Sequence, residues 1–344
     1  MQLGVPGRCG TLAPSMRPSP LLCGVLFALA AGLMWGLVFV GPLLLPEYPP
    51  ALHTFGRYLA FGLIALPLAW LDRARLRALT QADWVEALKL ALVGNIVYYL
   101  FLSSAIQRAG APLPTMVIGT LPVVIAITTN LRGGTAPGDA RLPWARLLPS
   151  LLLIGAGIGL VNQVEIGHLR ADTAAEANAY LIGALLAVGA VACWTWYPIR
   201  NAQWLRAHAD RSASTWATAQ GIATLPLALA GYAAFWLYST LSGSAFEMPF
   251  GPRAAEFAGL MFAIGLLASW LGTLCWNEAS QRLPTTLSGQ LIVFETLAAL
   301  SYAFMLRGTW PKWETLAGVA LLVAGVVWAL RTQPAPLAAE GHAT

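Results

Sequence analysis

Ten apolar runs of membrane-spanning length dominate the chain, at about 21–41, 52–71, 87–106, 112–131, 147–163, 179–199, 214–238, 256–276, 284–306 and 314–331. A helix needs about 20 apolar residues to cross a hydrocarbon core of about 30 Å. No water reaches that depth, so each span must satisfy its own backbone groups, and an α-helix does so. The expected fold is an all-α integral membrane protein of ten transmembrane helices. Composition agrees: charged residues make up 10% of the 344 and hydrophobic ones 58%, against about 25% charged in a soluble domain. Tryptophans near the run ends (Trp70, Trp84, Trp144, Trp310, Trp313) fit an interfacial belt.

The basic residues set the expected orientation. With the N-terminus in the cytoplasm, fourteen fall on the cytoplasmic side (Arg8, Arg17, Arg73, Arg75, Arg77, Lys89, Arg132, Arg141, Arg146, Arg200, Arg206, Arg211, Arg282 and Arg331). Five fall opposite (Arg108, Arg170, Arg253, Arg307 and Lys312), and Arg57 lies within a run. The positive-inside rule then puts both termini in the cytoplasm of a bacterial-type inner membrane. Spread through short loops in this way, the net charge of +5 marks topology and not a nucleic-acid surface. Neither lysine follows a Gly-rich phosphate loop, which argues against an ATP-driven pump. No cysteine or histidine spacing suggests a metal site, and no cofactor is expected. Residues 1–20 are rich in proline and glycine and read as a disordered tail, with Met1 and Met16 both open as the start; 332–344 read as a cytoplasmic tail.

A shift of 159 residues lays the first run on the sixth, with Gly24, Leu26, Ala28, Ala31 and Trp35 falling on Gly183, Leu185, Ala187, Ala190 and Trp194. Without a gap it also lays Leu66-Pro67-Leu68-Ala69 on Leu225-Pro226-Leu227-Ala228. A larger shift, after an insertion around 239–255, matches Gln107-Arg108 with Gln281-Arg282. The matches divide the chain into two five-helix halves, 21–163 and 179–331. Five is odd, so consecutive copies enter the bilayer in opposite senses. Inverted repeats are a design of secondary transporters, with the substrate bound near the midplane between the halves.

At these residues the chain resembles a known family. Ala31-Gly32-Leu33-Met34-Trp35-Gly36-Leu37-Val38-Phe39, Thr120-Leu121-Pro122-Val123-Val124 and Gly318-Val319-Ala320-Leu321-Leu322-Val323-Ala324-Gly325 look like EamA-domain segments. The resemblance is to the ten-helix branch of the drug/metabolite transporter superfamily and covers about residues 21–331. It implies a secondary carrier, often an exporter, of amino acids, metabolites or drugs. The family often has Gly-Glu where this chain has Gly133-Gly134 and Gly308-Thr309, so no role passes to those positions.

Charge at bilayer depth costs about 2.5–3.5 kcal/mol on insertion scales and usually faces a cavity or a partner. Glu295, midway along the ninth run, is a candidate proton carrier; a structural hydrogen bond is the alternative. Arg57 is placed to attract a substrate carboxylate, to pair with Glu295 or to snorkel outward. Trp35, Trp194, Trp196, Tyr197, Tyr98, Tyr99 and Trp270 are candidates for stacking on a planar or cationic substrate, or for packing. Asn95, Thr115, Gln220 and Gln290 read as interhelical hydrogen-bonding groups, with Asn95 and Gln290 kept as pathway candidates. Gly155-x-x-x-Gly159 and the small residues Ala317, Gly318, Ala324 and Gly325 suggest close packing between the halves or in a homodimer. No His-Glu-x-x-His, Gly-x-Ser-x-Gly or paired intramembrane aspartates appear, so a membrane-embedded enzyme is the lesser reading, as is a channel. The expected function is alternating-access transport of a small solute.

Overall fold

The computed structural model describes residues 19–109, 112–132, 143–166, 174–308 and 310–332, and every regular element among them is a helix. Among the described residues, eight helices are long and apolar enough to cross a membrane. They are α1 (Pro20–Leu44), α2 (Pro50–Leu71), α3 (Gln81–Ala109), α4 (Leu113–Leu131), α6 (Glu176–Ala207), α7 (Ala213–Leu241), α8 (Ala254–Arg282) and α9 (Thr285–Leu306). The other two, α5 (Trp144–Ile166) and α10 (Trp313–Thr332), contain the shorter apolar stretches Trp144–Leu160 and Trp313–Ala329. The ten expected runs are thus eight helices of spanning length and apolarity and two whose apolar stretches are shorter. The expected tails fall almost wholly outside the described residues, as do Gly133-Gly134 and Thr309.

Local chemistry sets several helix ends. The Ser19 hydroxyl accepts the Leu22 amide at 3.2 Å, and Pro20 starts α1 where no amide donor is needed. At α3 a capping box joins Thr80 and Asp83: each side chain accepts the other's backbone N–H. Gly308, at φ 62°, closes the ninth helix in the left-handed region that glycine adopts without strain.

The surface is apolar where that of a protein dissolved in water would be polar, and the interior holds polar groups within its apolar core. Leu152, Leu185, Leu229, Trp236 and Phe262 are exposed, while Arg57, Asn95, Asn201, Gln220, Asn277 and Glu295 are buried. Trp70, Trp144, Trp310 and Trp313 are exposed near helix ends, where an interfacial belt would lie. The closest helix pairings join the first five helices to the last five: α5 with α10, α2 with α7, α3 with α6, α1 with α8 and α9, and α4 with α9.

Two helices depart from α geometry in the same way. α3 widens to a π-helix over Ala91–Val97, and α8 does so over Gly265–Leu271. The segments begin 174 positions apart, at 91 and 265, the interval that also separates Gln107 from Gln281. Such segments re-aim side chains and are frequent at functional sites.

Of the two small-residue readings, close packing within the chain does not fall on Gly155 and Gly159. A Cβ on Gly155 or Gly159 would meet nothing within 4 Å, because that face of α5 points away from α10. Gly157, between them, is at the seam: its Cβ would lie 2.7 Å from the Gly318 carbonyl oxygen and 2.9 Å from the Leu322 nitrogen. Backbone cannot swing aside as a side chain can. Gly157→Ala is therefore expected to cost about 1–3 kcal/mol, as overpacking does. Gly155→Ala should stay within about 0.5 kcal/mol of the parent. Thermal unfolding of the two variants in one detergent checks the contrast.

Candidate functional site

Where the first five helices meet the last five, α1, α2, α3, α6, α8 and α9 bring most of the sequence-predicted site residues together. Arg57, about two turns along α2, is only 4% exposed, so it does not snorkel. The π-segment of α8 explains the inward turn, because it presents Ser269, whose hydroxyl accepts from Arg57 Nε at 2.9 Å. The guanidinium also lies 4.8 Å from the Tyr58 ring centroid and 4.7 Å from that of Tyr99. Tyr99 is in turn held by donating from its hydroxyl to the Val38 carbonyl.

Glu295 on α9 is 2% exposed. Its carboxyl lies in the field of Arg57 and beside the Trp194 indole, and Tyr98 lies in the field of both charges. Yet Arg57 and Glu295 make no direct ion pair among the described contacts, and Arg57 Nη1 and Glu295 Oε2 are buried without hydrogen-bond partners. The sequence left pairing open; the structure keeps the opposite charges apart.

Aromatic rings wall this space. Trp35 meets Trp194 edge-on at 5.0 Å and Trp276 at 5.2 Å. Trp194 stacks with both Tyr98 (4.6 Å, 19°) and Tyr197 (5.0 Å, 3°). Tyr98 Oη and the indole nitrogen of Trp276 are also buried without hydrogen-bond partners among the described residues, whereas the Trp194 indole is directed to the Glu295 carboxyl.

The remaining candidates are engaged elsewhere. Asn95, in the π-segment of α3, donates to Thr224 of α7 at 3.1 Å. Gln290 donates to Ser150 of α5 at 2.8 Å. Trp270 donates to Thr218 and faces an apolar groove of about 980 Å³ between α2, α7 and α8. Sequence reasoning missed Tyr58, Trp276 and Ser269. It also missed the buried chain in which Tyr197 donates to Gln220, Gln220 and Trp216 donate to Asn201, and Asn201 donates to Asn277.

Known proteins identify this architecture. The model of the EamA-like transporter family matches residues 22–139. The Inner membrane protein YtfF of Escherichia coli (strain K12) is 53% identical over 316 residues, 91% of this chain and 97% of the relative. The chain belongs to the EamA-like transporter family. It is an integral, multi-pass membrane protein and a secondary transporter of small solutes, not an enzyme. A crystal structure 20% identical in sequence has the same fold, with a TM-score of 0.64 over 89% of this chain and 96% of the other.

For a transporter, the two ends of the central space matter as much as its walls. At one end Arg200 of α6 clasps Glu86 of α3 through two bonds, at 2.5 and 3.1 Å. Beside it Trp204 donates to Asp83, and Thr215 donates to Asp72. At the other end Tyr48 is fully buried. Its hydroxyl donates to the Phe250 carbonyl at 2.8 Å and accepts from the Arg253 amide at 2.9 Å, while its ring stacks on Phe257 at 4.7 Å. Each network ties a helix or loop of the first half to one of the second.

Tyr48→Phe keeps the stacked ring and removes both hydrogen bonds, each worth about 1 kcal/mol. Amide exchange over residues 246–253 is expected to quicken about tenfold, with little change at the Glu86 end. Hydrogen-exchange mass spectrometry reads both ends in one experiment.

Proposed function

We propose that this chain is a ten-helix carrier of two inverted five-helix halves, 21–163 and 179–331, that exports a small solute by alternating access. α5 and α10 then cross the bilayer too, both termini face the cytoplasm, and the protein sits in a bacterial inner membrane like its relative. The observation that carries the reading is the buried, separated pair Arg57 and Glu295 between the halves, with a polar latch at each end. Buried charge without a direct partner is costly, and in transporters it marks the pathway.

Other features support the two-half organisation. Exchanging the halves maps the pairing of α3 with α6 onto that of α8 with α1, and it maps α2–α7, α4–α9 and α5–α10 onto themselves. The π-segments of α3 and α8 are mates under the same exchange. Alternating access then amounts to opening the Glu86 latch or the Tyr48 latch, one at a time.

In this reading Glu295 carries the coupling proton, Arg57 holds substrate, and Trp35, Trp194, Tyr98 and Tyr99 form the wall. Asn95 and Gln290 tie helices together beside the path, and Trp270 stands at its lateral edge. Gly155 and Gly159, with open space beside them, leave room for a second copy, so a homodimer fits this surface.

The test is flux in proteoliposomes with labelled amino acids and metabolites, with and without a pH gradient. Wild type is expected to accumulate substrate against its gradient when the pH gradient is imposed. Glu295→Gln should retain exchange and lose that response. Unchanged proton coupling in this variant would remove Glu295 from the role. Absence of gradient dependence in wild type would favour facilitated exchange.

A further inference from the structure

We infer that His53 is a proton-binding site of the Tyr48 latch, filled only when that latch is open, so that acid on the outer side opens the carrier outward. The assignment rests on the alternating-access reading, which makes this end the outer one.

His53 sits in the first turn of α2 and is fully buried. Its two ring nitrogens have unlike surroundings. Nε2 lies 3.0 Å from the Leu45 carbonyl oxygen. A carbonyl only accepts, so Nε2 carries a proton and donates it, and this bond ties α2 to the loop that holds Tyr48. Nδ1 has no hydrogen-bond partner among the described residues. It faces the small space beside Gly41, where a Cβ would lie 3.7 Å from Nδ1, 3.6 Å from Tyr99 Oη and 3.3 Å from Ile264 Cδ1. Neutral His53 presents only a lone pair to that space. A lone pair without a donor costs far less than a buried charge.

Protonation puts a cation at the same spot, and nothing packed there receives it. Arg57 stands one turn further along the same face of α2, and like charges at that spacing repel. From α3 comes only the phenol of Tyr99, which donates to the Val38 carbonyl. The rings of Tyr48 and of Phe257 on α8 have centroids 6.2 and 6.5 Å away, beyond the about 6 Å over which a ring face attracts a cation. Glu47 of the loop lies in the field of His53, but its carboxylate is at the surface, paired with Arg253, which Glu256 also binds. The closed latch thus binds fewer protons than an open, hydrated one, and acid shifts the balance towards opening.

The histidine at the other end has the opposite sign. His208 donates from Nδ1 to the Trp204 carbonyl at 2.9 Å, and its Nε2 lies 3.7 Å from the Asp83 carboxylate. A proton on that Nε2 gains a partner, so acid does not loosen the Glu86 latch.

The experiment is hydrogen-exchange mass spectrometry on the full-length protein in lipid nanodiscs, with labelling times scaled for the intrinsic pH dependence of exchange. The outer reporters are the amides of Tyr48, Gly251 and Arg253, which donate to Leu45 O, Glu247 O and Tyr48 Oη. They are expected to exchange about tenfold faster at about pH 5.5 than at about pH 7.5, the factor for one histidine that titrates near 6.5 only in the open form. The Asp83 and Trp84 amides at the Glu86 end should be no faster. His53→Gln keeps an N–H for Leu45 and takes up no proton, so its outer amides should exchange alike at both pH values. A wild type with no acid response would overturn the inference, as would equal quickening at both ends, which marks general loosening. So would a tenfold rise that persists in His53→Gln, or one lost in Glu295→Gln, which would move the titration to the central site. The wild-type comparison stands whether or not either variant folds. Flux separates this inference from the one beneath it. Acid opening of the latch in a protein that moves no solute would reject transport and keep the site; proton-driven flux with a latch indifferent to pH would do the reverse.

Discussion

In a Gly94→Ala variant, transport is expected to fall about tenfold or more, as misplaced catalytic or binding groups cause elsewhere, and stability to drop by about 2 kcal/mol or more. A Cβ built on Gly94 would sit 2.1 Å from Tyr197 Cδ2 and 2.7 Å from its Cγ. The ring cannot yield easily. It is 1% exposed, its hydroxyl is tied to Gln220, and its face lies parallel to Trp194 at 5.0 Å. Pushing Tyr197 therefore displaces Trp194, and with it the indole edge beside Glu295 and the stacked Tyr98. Gly94 also lies within the π-segment of α3, next to Asn95, so the methyl strains a helix already opened at that turn. Thermal unfolding and proteoliposome flux read the two effects separately. Adding Tyr197→Leu should recover part of the stability and none of the flux, because the smaller side chain makes room without rebuilding the stack. If Gly94→Ala alone keeps both melting temperature and flux, the close approach of α3 to α6 does not hold the site in place.

Residues such as Gly94 show where sequence reading stops. Hydropathy finds helices because lipid forces every span to be long and apolar, and it located all ten helical regions, although α3, α6 and α8 each run six to eight residues past one predicted end. Scarcity finds Glu295 and Arg57, since a charge in an apolar run stands out. What hydropathy cannot convey is direction around the helix axis. Three glycines at alternate positions of α5 look alike in sequence, yet only Gly157 faces α10, and the Gly-x-x-x-Gly pattern picked the other two. The direction of Arg57 depended on Ser269, which meets it through a π-segment that no apolar periodicity announces. Tyr58 and Trp276 were hidden by abundance: with 14 tryptophans and 9 tyrosines in the chain, identity alone does not pick out a wall. Tyr48 lies in a loop between spans, and its latch to Phe250 and Arg253 joins residues some 200 positions apart.

The second large effect concerns the two buried charges, and it is a departure from additivity. Arg57→Gln and Glu295→Gln are each expected to destabilise the protein, while the double variant loses less than the sum by more than about 1 kcal/mol. Together the side chains bring no net charge into the interior; either alone leaves a charge without its counterpart. The two single losses should also be unequal. In Arg57→Gln the orphaned carboxyl can take up a proton and become neutral, whereas in Glu295→Gln the orphaned guanidinium cannot lose one. Glu295→Gln is therefore expected to be the more damaging of the two. Arg57 keeps some compensation there, through Ser269 and the rings of Tyr58 and Tyr99, so the variant should still fold and its cost be measurable. Melting temperatures of the four proteins in one lipid composition complete the cycle. Strict additivity would mean that the charges do not sense each other across the space between them. The site would then be two unrelated polar positions.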